Sequence, residues 1–90
     1  DFMNSPIAGK ILSYNSYSLK NGMIVLTALE KRSWNNFVGV LNLPFSSDDR
    51  FESVISEKGL ILSKSLLRFT YEQLSSLFQE RKLRCFTKIK

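Results

Sequence analysis

The chain's most concentrated chemistry lies in its last ten residues. This segment holds five basic residues and no acid: Arg81, Lys82, Arg84, Lys88 and Lys90. Residues 1–80 carry eight basic and eight acidic residues, which cancel, so the whole net charge of +5 comes from residues 81–90. A basic terminus on a neutral body is typical of a protein that meets an acidic partner surface, or of a solubilising tail.

Residues 82–90 alternate in character, which predicts a β-strand. Leu83, Cys85, Thr87 and Ile89 fall on one predicted face, and Lys82, Arg84, Phe86, Lys88 and Lys90 fall on the other. Proteins that bind single-stranded nucleic acid combine cations that contact the backbone with aromatic rings that stack on bases. In the alternative interpretation, Phe86 packs inward and the lysines only solvate and protect an edge strand.

A second candidate site combines Lys31 and Arg32 with Trp34, in a predicted turn over residues 33–36. Two cations beside an indole are suited to contacting phosphate and stacking a base. Alternatively, Trp34 folds back over the sheet as a core residue, since large aromatic side chains are mostly buried. The sequence leaves both interpretations open.

Residue types needed for common catalytic and metal chemistry are missing. The chain has no histidine, and Cys85 is its single cysteine, so neither a zinc site nor an activated thiol is expected. Its four glycines are scattered singly, without a phosphate-binding loop. We therefore expect neither enzymatic activity nor a cofactor or metal.

Four acids cluster in the middle of the chain: Asp48, Asp49, Glu52 and Glu57. They are either magnesium ligands or acids gathered at the start of a helix, where they cap free N–H groups and oppose the helix dipole. The adjoining Ser46 and Ser47 are also typical helix-start residues, which favours the second interpretation.

The first part of the chain predicts a β-hairpin after an irregular lead-in over residues 1–9. Strands over 10–19 and 23–32 flank Asn21-Gly22, a dipeptide that favours a two-residue type I′ turn with positive φ. That turn sets a register with three core pairs: Leu19 opposite Ile24, Tyr17 opposite Leu26, and Asn15 opposite Ala28.

The rest of the chain predicts two helices and three further strands. We expect strands over 37–43, 60–69 and 82–90, a helix over 49–58, and a helix over 71–81. Thr70 and Gln73 match a capping box at the start of the second helix, and Leu74, Leu77 and Phe78 form its apolar stripe. The predicted order is β-β-β-α-β-α-β, a single small α+β domain on a mostly antiparallel sheet.

These patterns predict a non-catalytic nucleic-acid-binding domain, with single-stranded DNA or RNA as partner and a basic–aromatic sheet face as site. The alternative is a protein-interaction or assembly module whose basic C-terminal strand meets an acidic partner or pairs with a neighbouring sheet. The single cysteine and the lack of a long apolar run lead us to expect a reducing intracellular compartment, cytoplasm or nucleus, and no membrane partner.

Overall fold

The computed structural model describes residues 10–79 and 85–89. Its elements, in chain order, are strands β1 (Tyr14–Leu19) and β2 (Gly22–Thr27), helix α1 (Lys31–Val40), a short 3₁₀ helix (Ser47–Phe51), helices α2 (Glu57–Leu66) and α3 (Tyr71–Gln79), and strand β3 (Phe86–Ile89). Within this part of the chain, the strands form one antiparallel sheet in the order β1-β2-β3. The predicted small α+β domain with an antiparallel sheet is confirmed, whereas several predicted elements differ.

One core joins the sheet to the helices. Alternate residues of the strands point into it, as expected for a sheet with one covered face. These are Tyr17, Leu19, Ile24, Leu26 and Phe86. The helices contribute Trp34, Phe37, Val38, Leu62, Leu66, Leu74 and Phe78 to the same cluster. A row of rings crosses it, with centroid distances of 6.2 Å for Trp34–Phe37, 5.6 Å for Phe37–Phe78 and 5.1 Å for Phe78–Phe86.

The predicted hairpin is present, but its register differs by two residues. Leu19 pairs with Gly22 and Tyr17 pairs with Ile24, so the loop is Lys20-Asn21 instead of Asn21-Gly22. Neither Lys20 nor Asn21 has a positive φ, so the turn is not type I′. Because side chains alternate with period two, a shift of two leaves the predicted core face unchanged.

The predicted third strand over 37–43 is wrong, because α1 covers most of these residues. Trp34, Phe37 and Val38 are three and four positions apart, so they share one helix face, and all three are buried. Residues 37–43 are rich in strand formers, but packing against the core outweighs this weak preference.

A Schellman motif ends α1. Leu43 N–H donates to Val38 O at 2.9 Å, and Asn42 N–H donates to Gly39 O at 3.2 Å. Asn42 has a φ of 56°, the left-handed conformation that this motif requires. The chain therefore leaves the helix in a defined direction toward Phe45, which stacks on Trp34.

The predicted helix over 49–58 and strand over 60–69 are also wrong. The acids begin a 3₁₀ helix, where Asp49 and Ser46 form a capping box, and α2 starts only after Ser56. The Ser56 hydroxyl accepts a hydrogen bond from Gly59 N–H at 3.2 Å. Position 59, in the first turn of α2, requires a glycine, because a Cβ there would lie 2.1 Å from Val54 O.

The predicted start of α3 is confirmed in atomic detail. Gln73 N–H donates to the Thr70 hydroxyl at 3.1 Å, and Thr70 N–H donates to the Gln73 side chain at 2.9 Å. Leu74 and Phe78 are buried as predicted, whereas Leu77 is exposed. The predicted end of this helix lies outside the described residues.

Candidate functional site

Strand β3 forms one edge of the sheet in the part of the chain that the structure describes. It pairs with β2 alone, with Leu26 opposite Phe86 and Ile24 opposite Lys88. Thr27 N–H donates to Cys85 O at 2.7 Å, which sets the alternation of backbone hydrogen bonds along this pair. By that alternation, the N–H and C=O groups of Phe86 and Lys88 point away from β2, toward the outer side of β3, where the described residues place no further strand (the open edge).

Phe86 is buried, so its predicted exposure on a polar face is wrong. Only 5% of its surface is exposed. Its ring meets Phe78 edge-on at 5.1 Å and Tyr71 edge-on at 6.2 Å between centroids. The predicted strand is present over its described part, but its faces are reversed, because Phe86 lies opposite the core residue Leu26. The alternative interpretation, inward packing, is the one that the structure shows.

Lys88 lies two residues beyond Phe86, where the same face of the sheet reaches solvent. Its Nζ is 5.1 Å from the centroid of the Tyr71 ring, which is a cation–π contact. Glu72 lies near enough for its carboxylate to respond to the charge of Lys88. Lys88 is exposed and is the one predicted strand cation within the described residues, because Lys82, Arg84 and Lys90 lie outside them.

Hydrogen bonds join the hairpin loop to the start of α3, beside Lys88. Asn21 Oδ1 accepts a hydrogen bond from Tyr71 N–H at 3.0 Å, and Asn21 Nδ2 donates to Glu72 Oε1 at 2.9 Å. Lys20 N–H donates to Phe69 O at 2.8 Å. The hydrogen bond from Asn21 is the main cause that lowers the pKa of Glu72, and the Lys88 charge is a smaller one.

A shallow groove of about 600 Å³ adjoins this contact on the outer side of α3. Its lining residues are Arg68, Phe69, Glu72, Gln73, Ser76 and Leu77. Glu72 is shared between the groove and the hairpin contact, so the two features are continuous. The groove combines the exposed Leu77 with a cation and a carboxylate, and no sequence pattern indicated it.

Trp34 does not form the second predicted site. Its side chain is fully buried in α1, its Nε1–H donates to Ser46 O at 2.9 Å, and its ring is parallel to Phe45. Of the two interpretations, the structure shows the inward-packed one, because Trp34 is a core residue whose polar atom is satisfied by the backbone. Lys31 and Arg32 remain exposed in the first turn of α1, without an aromatic platform from Trp34.

Three of the four acids lie at helix starts, whereas Glu52 lies at the end of the 3₁₀ helix. Asp49 accepts hydrogen bonds from Lys58 Nζ at 2.6 Å and from Ser46 N–H at 2.8 Å, which with the neighbouring charge lower the pKa of its carboxyl. Glu57 lies in the first turn of α2. Among residues 10–79 and 85–89, no group of three or more His, Cys, Asp and Glu side chains is arranged to hold a metal ion.

Cys85 is buried immediately before β3. Burial raises the pKa of its thiol to about 11, so the reactive thiolate is scarce near neutral pH. The thiol is therefore a core group next to the open edge. Separately, no helix within the described ranges has the length and apolar character to cross a membrane.

Comparisons of the chain with protein-family models, with curated proteins and with solved structures find no match. The site must therefore be interpreted from its own geometry. That geometry consists of an open strand edge, an exposed lysine beside it, and a groove that begins at Glu72.

Proposed function

We propose that this domain is a non-catalytic binding module that takes up an extended acidic segment of a partner protein as an additional strand beside β3. The open edge of β3 carries the proposal. Phe86 and Lys88 direct their backbone donors and acceptors outward, and in strand addition such groups supply affinity through main-chain hydrogen bonds.

The charge near this edge supports an acidic partner. Lys88 is exposed beside it, and the five cations of residues 81–90 have no acid among them. Like charges placed directly opposite each other destabilise paired strands, whereas opposite charges stabilise them. Pairing of β3 with a second copy of itself would bring cations together, so a different, acidic chain fits better.

The packing under β3 supports a rigid edge. Phe86 is held between the rings of Phe78 and Tyr71, so one end of the short strand is fixed by the core. A preformed edge has less conformational freedom to lose when a partner binds. The burial of Phe86 therefore favours strand addition, while it removes the ring on which a base would stack.

Nucleic acid is the second candidate partner, supported by the concentration of positive charge in residues 81–90. With Phe86 and Trp34 in the core, binding would depend on phosphate contacts by exposed cations such as Lys88, Lys31 and Arg32. Such contacts carry no sequence information directly and weaken steeply with salt. This candidate therefore differs from strand addition in its response to salt and to backbone changes.

A proline at position 88 separates the two candidates. Lys88→Pro removes an N–H that faces the open edge but none that bonds to β2, and proline is tolerated at such edge positions. Lys88→Ala removes the charge and keeps the N–H. The probe is a fluorescent capped peptide of alternating glutamate and valine, and its affinity is measured by anisotropy. We expect Lys88→Pro to weaken binding by about 1–3 kcal/mol, the cost of an unmade hydrogen bond, and Lys88→Ala to have the smaller effect.

Two controls complete this experiment. Lys31→Ala removes the same charge on α1 and should leave peptide binding unchanged, and the same peptide with alternate amides N-methylated should not bind. Strand addition is wrong if the methylated peptide binds equally well, or if folded Lys88→Pro binds as the wild type does. Binding of a poly-dT oligonucleotide instead, with a log–log salt slope of about −0.7 per contacted phosphate, would favour the second candidate.

A further inference from the structure

We propose that Asn21 is a latent deamidation site. The folded domain restrains its reaction through the contact between the hairpin loop and α3, and its modification releases that contact. The proposal rests on the Asn21-Gly22 dipeptide and on the hydrogen bonds of Asn21, and it is independent of the proposed function. The modification is spontaneous and needs only water as a co-reactant.

The chemistry begins at the peptide bond between Asn21 and Gly22. The Gly22 nitrogen, as it loses its proton, attacks Cγ of Asn21, and a new C–N bond closes a five-membered succinimide. The bond from Cγ to the side-chain nitrogen breaks, and this nitrogen leaves as ammonia with the proton. Water then opens the ring at either carbonyl and gives aspartate or isoaspartate. Glycine favours the attack because it has no side chain to shield its nitrogen and its backbone is permissive.

The fold opposes this reaction at both reacting groups. Asn21 Oδ1 is held by Tyr71 N–H at 3.0 Å, and Asn21 Nδ2 is held by Glu72 Oε1 at 2.9 Å. Gly22 is paired with Leu19, and the alternation along β2 directs its N–H toward β1. Cyclisation requires Cγ to turn toward the Gly22 nitrogen, which breaks these bonds. The reaction therefore requires local opening of the loop.

Deamidation weakens the hydrogen bonds between residue 21 and α3 that slowed the reaction. In the aspartate product, an oxygen replaces Nδ2 at a position 2.9 Å from the Glu72 carboxylate, so a hydrogen bond becomes a contact between like charges. Tyr71 N–H keeps an acceptor, and a negative charge suits the start of a helix, but the link to Glu72 is gone. In the isoaspartate product, an additional main-chain carbon enters the two-residue loop between Leu19 and Gly22.

The released contact adjoins β3, because Lys88 lies over the ring of Tyr71 and near Glu72. Deamidation therefore adds a negative charge beside the exposed lysine of the open edge. This links a slow, irreversible chemical change to the surface that surrounds Lys88.

Peptide mapping by mass spectrometry tests the restraint. The folded domain and a peptide of residues 17–26 are incubated at mildly alkaline pH, and deamidation of Asn21 is followed over time. We expect the folded wild type to react at least about tenfold more slowly than the peptide, because only molecules whose loop is open can react. Glu72→Ala should accelerate the reaction in the folded domain several-fold, whereas Gly22→Ala should slow it in both domain and peptide. In the folded domain, Asn15 serves as the internal reference.

Amide hydrogen exchange tests the release. Asn21→Asp reproduces the aspartate product, and it should speed exchange of the Lys20 amide, which the loop contact protects. Asn35→Asp makes the same charge change on the exposed side of α1 and should leave that amide unchanged. Equal rates in domain and peptide, or an unchanged rate in folded Glu72→Ala, would overturn the restraint. Unchanged exchange in Asn21→Asp would overturn the release.

Discussion

The two edge strands of the sheet differ. Backbone hydrogen bonds join both ends of β1 to other parts of the chain, whereas β3 pairs only with β2 among the described residues. Tyr14 N–H donates to Ile11 O at 3.2 Å, and Lys20 N–H, just past the strand, donates to Phe69 O at 2.8 Å. A bare sheet edge invites unwanted pairing unless it is covered, shortened or charged. The fold bonds both ends of β1 to its own chain and packs α2 against this side of the sheet, while β3 is short and carries charge. That difference supports β3 as the edge used in the proposed strand addition.

Helix α2 belongs to the covered side of the sheet. It packs against β1, and its buried Gly59 lies against the backbone of Val54. The same backbone segment reaches the lead-in to β1, where Val54 N–H donates to Lys10 O at 3.1 Å. The β1 side therefore depends on close backbone packing, whereas the β3 side depends on one aromatic anchor.

Removing that anchor should have the largest effect. Phe86→Ala deletes a ring that packs on Phe78 and Tyr71, and we expect it to lower the free energy of unfolding by about 3–5 kcal/mol. Urea denaturation followed by circular dichroism measures the change. Thr87→Ala alters the next residue, on the exposed face, and should cost less than about 0.5 kcal/mol. Similar losses in both variants would mean that Phe86 is not the anchor of β3.

The next largest effect tests the covered side. Gly59→Ala places a methyl group 2.1 Å from Val54 O, so α2 must move, and we expect a loss of about 1–3 kcal/mol in unfolding free energy. Gly22→Ala is the matched control, because nothing lies within 4 Å of its Cβ position and its φ lies outside the left-handed region that favours glycine. If both variants melted at the same temperature, the close approach between α2 and Val54 would be absent.

Signals confined to a few neighbouring residues predicted local structure well. The Thr70–Gln73 pair located the start of α3, and the Asn21-Gly22 dipeptide located the hairpin. The middle of the chain was harder, because strand-forming residues such as Phe37 and Val38 also fit one face of a helix, and contact with the core decides between them. The hydrogen bonds of Asn21 in the hairpin loop join it to partners 50 and 51 residues away, and a local pattern does not indicate such bonds.

In the described part of the predicted C-terminal strand, the strand is present but its faces are reversed. Alternation predicts two faces, but it does not tell which face is covered. The basic neighbours of Phe86 suggested the exposed face, whereas the ring completes an aromatic row with Phe78 in the core. The hydrogen bond from Lys20, just past β1, to Phe69 was not predictable, because it joins residues far apart in the sequence.

The smallest effect concerns the ion pair that joins the 3₁₀ helix to α2 on the covered side. Asp49 accepts from Lys58 Nζ at 2.6 Å and from Ser46 N–H at 2.8 Å, and these bonds hold its pKa below the ordinary 3.8. A lowered carboxyl pKa adds stability that is present above the unfolded pKa and is lost as the pH falls through the folded pKa. Asp49→Asn should therefore lower the free energy of unfolding by about 1 kcal/mol near neutral pH, the usual contribution of a helix cap, and by progressively less below about pH 4.

Urea denaturation of the wild type and the variant across this pH range measures the gap between their free energies of unfolding. Asp48→Asn makes the same charge change at an exposed neighbour and should leave only a small gap at every pH. A gap for Asp49→Asn that stays constant down to the lowest pH would show that its charge does not stabilise this junction.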